Sequence, residues 1–525
     1  MVATLAAAAS LGVRDPGRRA VAMLSALVLA TIATVLVVGL DTVSHDVSRR
    51  AAEAGAGLAG GVVALAAVAA LIRRRPEAFP LLVVLTLPFR VPVAAGGGTA
   101  NLLLPLYGVI AAGLVAYGWG MRSRAEPLEP RQPRGVTPAG RRVGRLEWAL
   151  AAVLVLYALQ SLYSSDREQA VKNLCFFYIP FAVLFGLLLE VRWTPRLLKA
   201  CFGLTVGLAL LFAVVGFGEW GTGRLLLANE KVLAANDLKP YFRVNSLFFD
   251  PNIYGRFLAL TIILMAAALL WSVQRRHVVL LSAGLAVLWA GLVLSLSQSS
   301  FAALLGGLAV LAALRWRPGP VLALVGAAFV LAVGVVVIAP GALHIKGGSA
   351  KAIDKATSGR LDLLKGGRQL FSDRPVWGVG SGGFAASYRR RERIRASSRA
   401  VVVSHTIPVT IAAEQGVLGL LAYVALLVTA LSLLWRGARE ALQRRGPPGI
   451  EGIARAGVAA AFVALLLHTL VYAAYLEDPL SWTLLGIGAA LALVRAPRER
   501  GIRETPAPDG DGAHAPAGTS SAAAI

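Results

Sequence analysis

The sequence predicts an all-α fold, a polytopic membrane bundle of about 12–14 transmembrane helices with one large extracytoplasmic loop containing short helices. Three observations predict it. The chain is 57% hydrophobic with a mean hydropathy of +0.68, more apolar than a soluble chain can be while keeping a polar surface. Unbroken apolar runs such as Val21–Leu40, Val278–Leu294 and Val321–Ile338 are long enough to cross a hydrocarbon core as helices. Charged residues, only 15% of the chain, are bunched between those runs.

Taken in order, spans are expected at 20–40, 56–72, 79–95, 101–119, 147–164, 174–190, 197–217, 254–272, 278–296, 300–314, 320–340, 407–434, 456–475 and 480–494. Arg14, Arg18 and Arg19 precede a full-length span rather than the short apolar core of a cleavable signal. Residues 1–500 form the membrane domain. The remainder, 501–525, is rich in Ala, Gly and Pro and reads as a disordered cytoplasmic tail. Cys175 and Cys201 lie in or beside apolar runs and fit buried small hydrophobes better than a disulfide or zinc site.

The net charge of +24 would suggest nucleic acid in a soluble protein. Here it follows from basic loops facing the cytoplasm, so no nucleic-acid partner is expected. Arg73–Arg75, the cluster from Arg122 to Arg145, Arg275 and Arg276, Arg315 and Arg317, the cluster from Arg436 to Arg445, and the cluster from Arg495 to Arg503 all fall on one side with an even span count. Both termini share that side. The other side carries short connections and two longer segments, 218–252 and 341–408.

The second of these breaks the charge pattern. It holds thirteen Lys and Arg residues, from Lys346 to Arg399, against Asp354, Asp362, Asp373 and Glu392. Long loops translocate regardless of charge. Such a loop can be a solvated surface near anionic lipid heads, or a site for a phosphate or diphosphate. Within it, Ser358–Phe371 reads as a helix capped by Ser358. Leu361, Leu363, Leu364, Leu370 and Phe371 form its apolar stripe, with Asp362, Lys365 and Gln369 opposite. Arg360 falls within the stripe. It either snorkels to water or holds an anion. The glycine-rich stretch from Trp377 to Phe384 is either a plain turn or a place where backbone N–H groups approach a phosphate or sugar.

In the segment 218–252, Arg243, Asn245, Asp250 and Asn252 cluster with Tyr241, Phe242, Phe248 and Phe249, and Arg256 follows at the mouth of the next span. The aromatics suit an interfacial belt, and the polar group suits a pocket. Arg90, near the outer end of the third span, and Glu414, inside the twelfth, are intramembrane charges that call for partners. His405 precedes Pro408 at the start of that twelfth span. A helix N-terminus favours neutral imidazole, which can act as a general base. His405 and Glu414 are nine residues apart and face opposite sides of a straight helix, so they do not form a dyad.

These segments together resemble the O-antigen ligase and polymerase family of bacterial membrane glycosyltransferases. Three pieces carry the resemblance, in order: Arg243 to Asn252, RVNSLFFDPN; Ser358-Gly359-Arg360-Leu361 through Asp373-Arg374-Pro375 and Gly378 to Phe384; and Ser404-His405 followed by Glu414-Gln415-Gly416-Val417-Leu418-Gly419-Leu420. It covers roughly 240–425 in motif terms and the rest in hydropathy.

The resemblance implies a donor glycan on a polyprenyl (undecaprenyl) diphosphate, transferred with inversion and without metal or cofactor to an acceptor hydroxyl outside the plasma membrane. The acceptor is a glycan, lipid or protein, as in lipopolysaccharide and other cell-envelope polysaccharide synthesis. On this pattern His405 is the catalytic residue, deprotonating or orienting the acceptor hydroxyl, and Arg243 and Arg360 bind the diphosphate, aided by Arg90 and Arg256. Asn252, Asp250 and Glu414 are supporting residues. Thr406 departs from the family, which usually has Asn after this His. Ligase and polymerase are not separable by sequence. The rival reading, a flippase or transporter of lipid-linked oligosaccharide, would place ionisable groups near the bilayer midplane.

Overall fold

The computed structural model describes residues 1–38, 51–95, 98–122, 144–227, 232–233, 236, 241–316, 319–321, 323, 360–394, 406–443, 446–470, 472 and 475–493. Nearly all of it is helix. In chain order the helices are α1 (Val2–Gly12), α2 (Pro16–Val38), α3 (Ala51–Arg74), α4 (Ala78–Thr86), α5 (Leu104–Arg122), α6 (Arg145–Ser161), α7 (Arg167–Asn173) and α8 (Ile179–Leu189). They continue with α9 (Pro195–Thr222), α10 (Pro251–Leu270), α11 (Arg275–Ser295), α12 (Gln298–Arg315), α13 (Arg360–Asp373), α14 (Phe384–Arg391), α15 (Ile407–Leu442), α16 (Ile450–Thr469) and α17 (Pro479–Leu493). A π turn, Leu174–Tyr178, joins α7 to α8.

Eight helices among the described residues are long and apolar enough to cross a membrane, and Val2–Gly12, Leu104–Gly120 and Pro479–Ala492 are shorter apolar helices. The chain is therefore a multi-pass membrane protein. The expected figure of about 12–14 spans counted shorter helices and the run 320–340, which lies almost wholly outside the described residues. The tail 501–525 lies outside them too.

One expected span takes another form. The stretch 79–95 is helical only as far as Thr86, and the chain then enters a hairpin of β1 (Val91–Ala95) and β2 (Gly98–Leu102), with Val91 opposite Leu102 and Ala95 opposite Gly98. Pro88 and Pro92 are the reason: each lacks the N–H that would continue a helix and biases the preceding residue away from it. Arg90 accordingly lies between helix and hairpin, not within a helical span.

Burial separates centre from periphery. The membrane-crossing windows of Arg167–Leu189, α10 and α16 are 72%, 67% and 61% buried, against 22% for α11 and 28% for α2 and α15. In lipid there is little hydrophobic drive between helices, so close packing through small residues takes over. Helix α16 offers Ala456, Gly457, Ala459, Ala460, Ala461 and Ala464, all buried, to its neighbours α10, α12, α15 and α17. On α12, a Cβ at Gly307 would fall 2.3 Å from Ile263 Cδ1 and 3.2 Å from Ala464 Cβ. Cys175 and Cys201 are both buried and free, as expected.

Candidate functional site

The Arg243 segment is held by the end of α9. The Glu219 carboxylate accepts from the backbone N–H of Leu226 (2.9 Å), Asn245 (3.1 Å) and Ser246 (2.7 Å). Ser246 can then adopt φ 52°, a left-handed conformation that such fixed bonds stabilise. Beneath it, the Phe248 ring packs on Phe212 and Phe257 at 5.1 and 5.7 Å between centroids.

Arg243 itself is half-buried. Its Nε donates to the Ser295 carbonyl at 3.1 Å and its Nη2 to Asn252 Oδ1 at 3.3 Å. Both acceptors are neutral. Burial pulls the guanidinium below its ordinary pKa, and the nearby Asp250 opposes that. Asp250 caps α10 through Asn252 N (2.6 Å), and its other oxygen accepts from Tyr472 OH (3.2 Å).

Behind Arg243 lies a serine-rich turn between α11 and α12. Ser297 Oγ donates to Asn252 Oδ1 at 2.9 Å and lies 3.2 Å from Ser299 Oγ and 2.8 Å from Ser300 Oγ. Ser299 Oγ is 3.2 Å from Nε2 of His468, a fully buried residue on α16. The turn fits against α10 because residue 255 is glycine: a Cβ there would fall 2.8 Å from Ser295 Oγ and 2.9 Å from Ser300 Oγ.

Arg256 lies one helical turn beyond Asn252, on the same face. It is buried at 2% exposure and ion-paired with Asp478, also at 2%. Its Nε and Nη1 lack hydrogen-bond partners among the described residues. Arg90 is half-buried and lies within electrostatic reach of Tyr107 and Tyr472. Tyr472 also feels Asp250 and Arg256. The structure thus brings Arg243, Asn252, Asp250, Arg256 and Arg90 into one neighbourhood around the N-terminal end of α10 and the C-terminal end of α16. Ser297, Ser299 and His468 join them. Sequence reasoning passed over these three because His468 reads as a lone polar residue inside an apolar span.

Glu414 belongs elsewhere. Its carboxylate accepts from the backbone N–H of Gly382 (2.8 Å) and Phe384 (3.0 Å), while its own carbonyl accepts from Gly380 N (2.8 Å). Val379 N donates to Ala413 O (3.0 Å), and Val417 N to Pro375 O (2.8 Å). Helix α15 is kinked at Gly416 (φ 64°, ψ −158°), and the kink receives the glycine loop. A Cβ on Gly378 would fall 2.3 Å from the Glu414 backbone, and one on Gly416 would fall 2.3 Å from Val376 O. The N–H groups of Val379, Gly380, Gly382, Gly383 and Phe384 all have protein acceptors. The loop's glycines therefore serve backbone-to-backbone packing, and the partner that an intramembrane Glu414 called for is the loop itself.

Helix α13 begins at Arg360 in the described residues, and the proposed Ser358 cap lies outside them, as does the Arg360 side chain. Its expected polar face is present: Asp362, Lys365 and Gln369 are exposed and Leu370 is buried. Gly366 and Gly367 add a close contact, where a Cβ would fall 2.2 Å from the Tyr388 ring and 2.5 Å from Val409. Part of the basic loop is internally paired: Arg391 meets Asp373 and Gln369 (2.9 Å to the latter). His405 lies outside the described residues. The next residue, Thr406, donates through Oγ1 to the Leu470 carbonyl at 3.2 Å, and Pro408 falls in the first turn of α15 as expected. Among the described residues, no three of His, Cys, Asp and Glu come together as a metal site requires.

No curated protein matches the chain. Residues 283–424 match the family model described as O-antigen ligase. That match runs from α11 through the glycine loop to the kinked part of α15, and so covers two of the three motifs that suggested the family. The match bears out the resemblance read from the motifs over residues 283–424, and it supports a membrane glycan-transfer role in general terms.

Proposed function

We propose that the protein is a metal-independent, inverting glycosyltransferase that transfers or polymerises a polyprenyl-diphosphate-linked glycan onto an acceptor hydroxyl on the extracytoplasmic side. The observation that carries this reading is Arg243. It is a half-buried cation held by two neutral acceptors at 3.1 and 3.3 Å, with no carboxylate within ion-pair distance among the described residues. A cation so oriented, with no carboxylate in direct contact among the described residues, suits a phosphate.

Arg243 and Arg360 bind the diphosphate. Arg90 adds positive charge nearby, and Arg256 contributes from behind, partly offset by Asp478. His405 accepts the proton of the acceptor hydroxyl as its oxygen attacks the anomeric carbon. The bond from that carbon to the diphosphate oxygen breaks on the opposite face, and the electron pair leaves with the polyprenyl diphosphate. The arginines stabilise that departing charge. Basic loops on the other side support a cytoplasmic location for both termini.

Deleting the gene and resolving surface glycan by length tests the reading. Loss of a polymerase leaves single units attached to acceptor. Loss of a ligase leaves long chains unattached. A purified protein that moves labelled lipid-linked sugar across vesicles without forming a glycosidic bond would favour a flippase instead.

A further inference from the structure

Proton bookkeeping in the serine turn assigns Asn252 a second role. A guanidinium only donates, so the Asn252 atom facing Arg243 Nη2 is its oxygen. That oxygen also takes the single Ser297 proton at 2.9 Å. With its proton committed, Ser297 can only accept, from Ser299 at 3.2 Å and from Ser300 at 2.8 Å, the Ser300 proton being shared with the Asn252 main-chain carbonyl at 3.4 Å. Ser299 has then committed its own proton, so it accepts from His468 Nε2–H at 3.2 Å. His468 Nδ1 accordingly carries no proton, and no described residue donates to it. Every donor in the series runs one way, from the buried imidazole through two hydroxyls to Asn252 Oδ1. The Asn252 side-chain NH2 remains. Asn252 is only partly buried, and no described residue accepts from its two N–H groups.

We propose that the His468–Ser299–Ser297 relay is a positioning device that locks the Asn252 amide, so that its NH2 and the Arg243 guanidinium together bind one phosphate of the donor diphosphate. This rests on the diphosphate reading above. Arg243 supplies charge, while Asn252 supplies a neutral donor pair whose orientation the relay decides. His468 and the serines touch no substrate and act through Asn252.

The test uses the full-length protein in detergent micelles, with farnesyl diphosphate as a soluble probe and its Kd measured by calorimetry. Ser299→Ala and His468→Ala should each weaken binding about tenfold, the scale of one lost orienting hydrogen bond. His468→Gln keeps a side-chain N–H donor and should bind within about twofold of the unaltered protein. Asn252→Asp keeps the acceptor for Arg243 but loses both donors and adds a negative charge, so it should bind more weakly than any relay variant. Unchanged binding by Ser299→Ala and His468→Ala, with binding lost in Arg243→Ala, would overturn the relay and leave the diphosphate reading intact. Equal weakening by His468→Gln and His468→Ala would also overturn it, because packing alone would then be at work. Unchanged binding by Arg243→Ala would instead bring down the diphosphate reading itself.

Discussion

The Glu414 carboxylate bonds the Gly382 backbone N–H at 2.8 Å across 32 residues of sequence, and with the Phe384 N–H at 3.0 Å it ties the glycine loop to the kink of α15. Both bonds are buried, and losing the carboxyl would leave two backbone N–H groups unpaired away from water, at about 1–3 kcal/mol each. Glu414→Ala should therefore destabilise the protein by about 3 kcal/mol or more, and Glu414→Gln by about 2, since an amide NH2 would face a backbone N–H. Thermal midpoints of the purified variants in nanodiscs check the order. A Glu414→Ala protein as stable as the parent would remove Glu414 from this role.

Gly416 and Gly446 separate backbone strain from steric clash. Both have positive φ, 64° and 94°, but a Cβ on Gly416 would fall 2.3 Å from Val376 O, whereas no atom of the described residues lies within 4 Å of one on Gly446. Gly446→Ala should cost about 1 kcal/mol, the penalty for a side chain in that region. Gly416→Ala carries the same penalty plus a clash with main chain that cannot rotate away. It should lower the yield of folded, monodisperse protein sharply, as read by size-exclusion profiles of fluorescently tagged variants.

Arg243 is held through Nε and Nη2 at once, a geometry that one ammonium group cannot reproduce. Arg243→Ala should reduce glycan transfer about a hundredfold or more. Arg243→Lys should recover only part of that, because charge returns without the fork. Transfer assays on membranes with matched expression measure both. Full activity in Arg243→Ala would refute its role.

Glu477 lies between α16 and α17, with Asn173 Nδ2 donating to its Oε1 at 3.2 Å, and burial raises its pKa to about 7. The folded state thus keeps a proton that the unfolded chain releases near pH 4.5. Stability should be fullest at or below that lower value, fall as pH rises towards 7, and level off above it. The steepest loss from this one group is about 1.4 kcal/mol per pH unit. Glu477→Gln should flatten the profile and raise the thermal midpoint above pH 7. An unchanged slope between pH 5 and 7 would assign the dependence to other groups.

Much of the architecture is local in origin and was legible in the chain. An apolar run long enough to cross a bilayer specifies a helix wherever it lies, and Pro408 marks a helix start by chemistry that needs no partner. The order of the three motifs was legible as well. The stretch 79–95 shows the limit of hydropathy: its composition suits a span, yet Pro88 and Pro92 divert it into a hairpin.

What only the tertiary structure decided is which polar groups meet. Ser299 and His468 are 169 residues apart, and each alone reads as an ordinary polar residue in an apolar setting. Glu414 looked like a companion of the substrate site, and the fold assigns it to the glycine loop. Arg256 looked like one of the diphosphate-binding cations and is paired with Asp478. The physical reason is the same in each case. A buried polar group must find a hydrogen-bond partner, but the sequence records only that need, and helix packing chooses the partner.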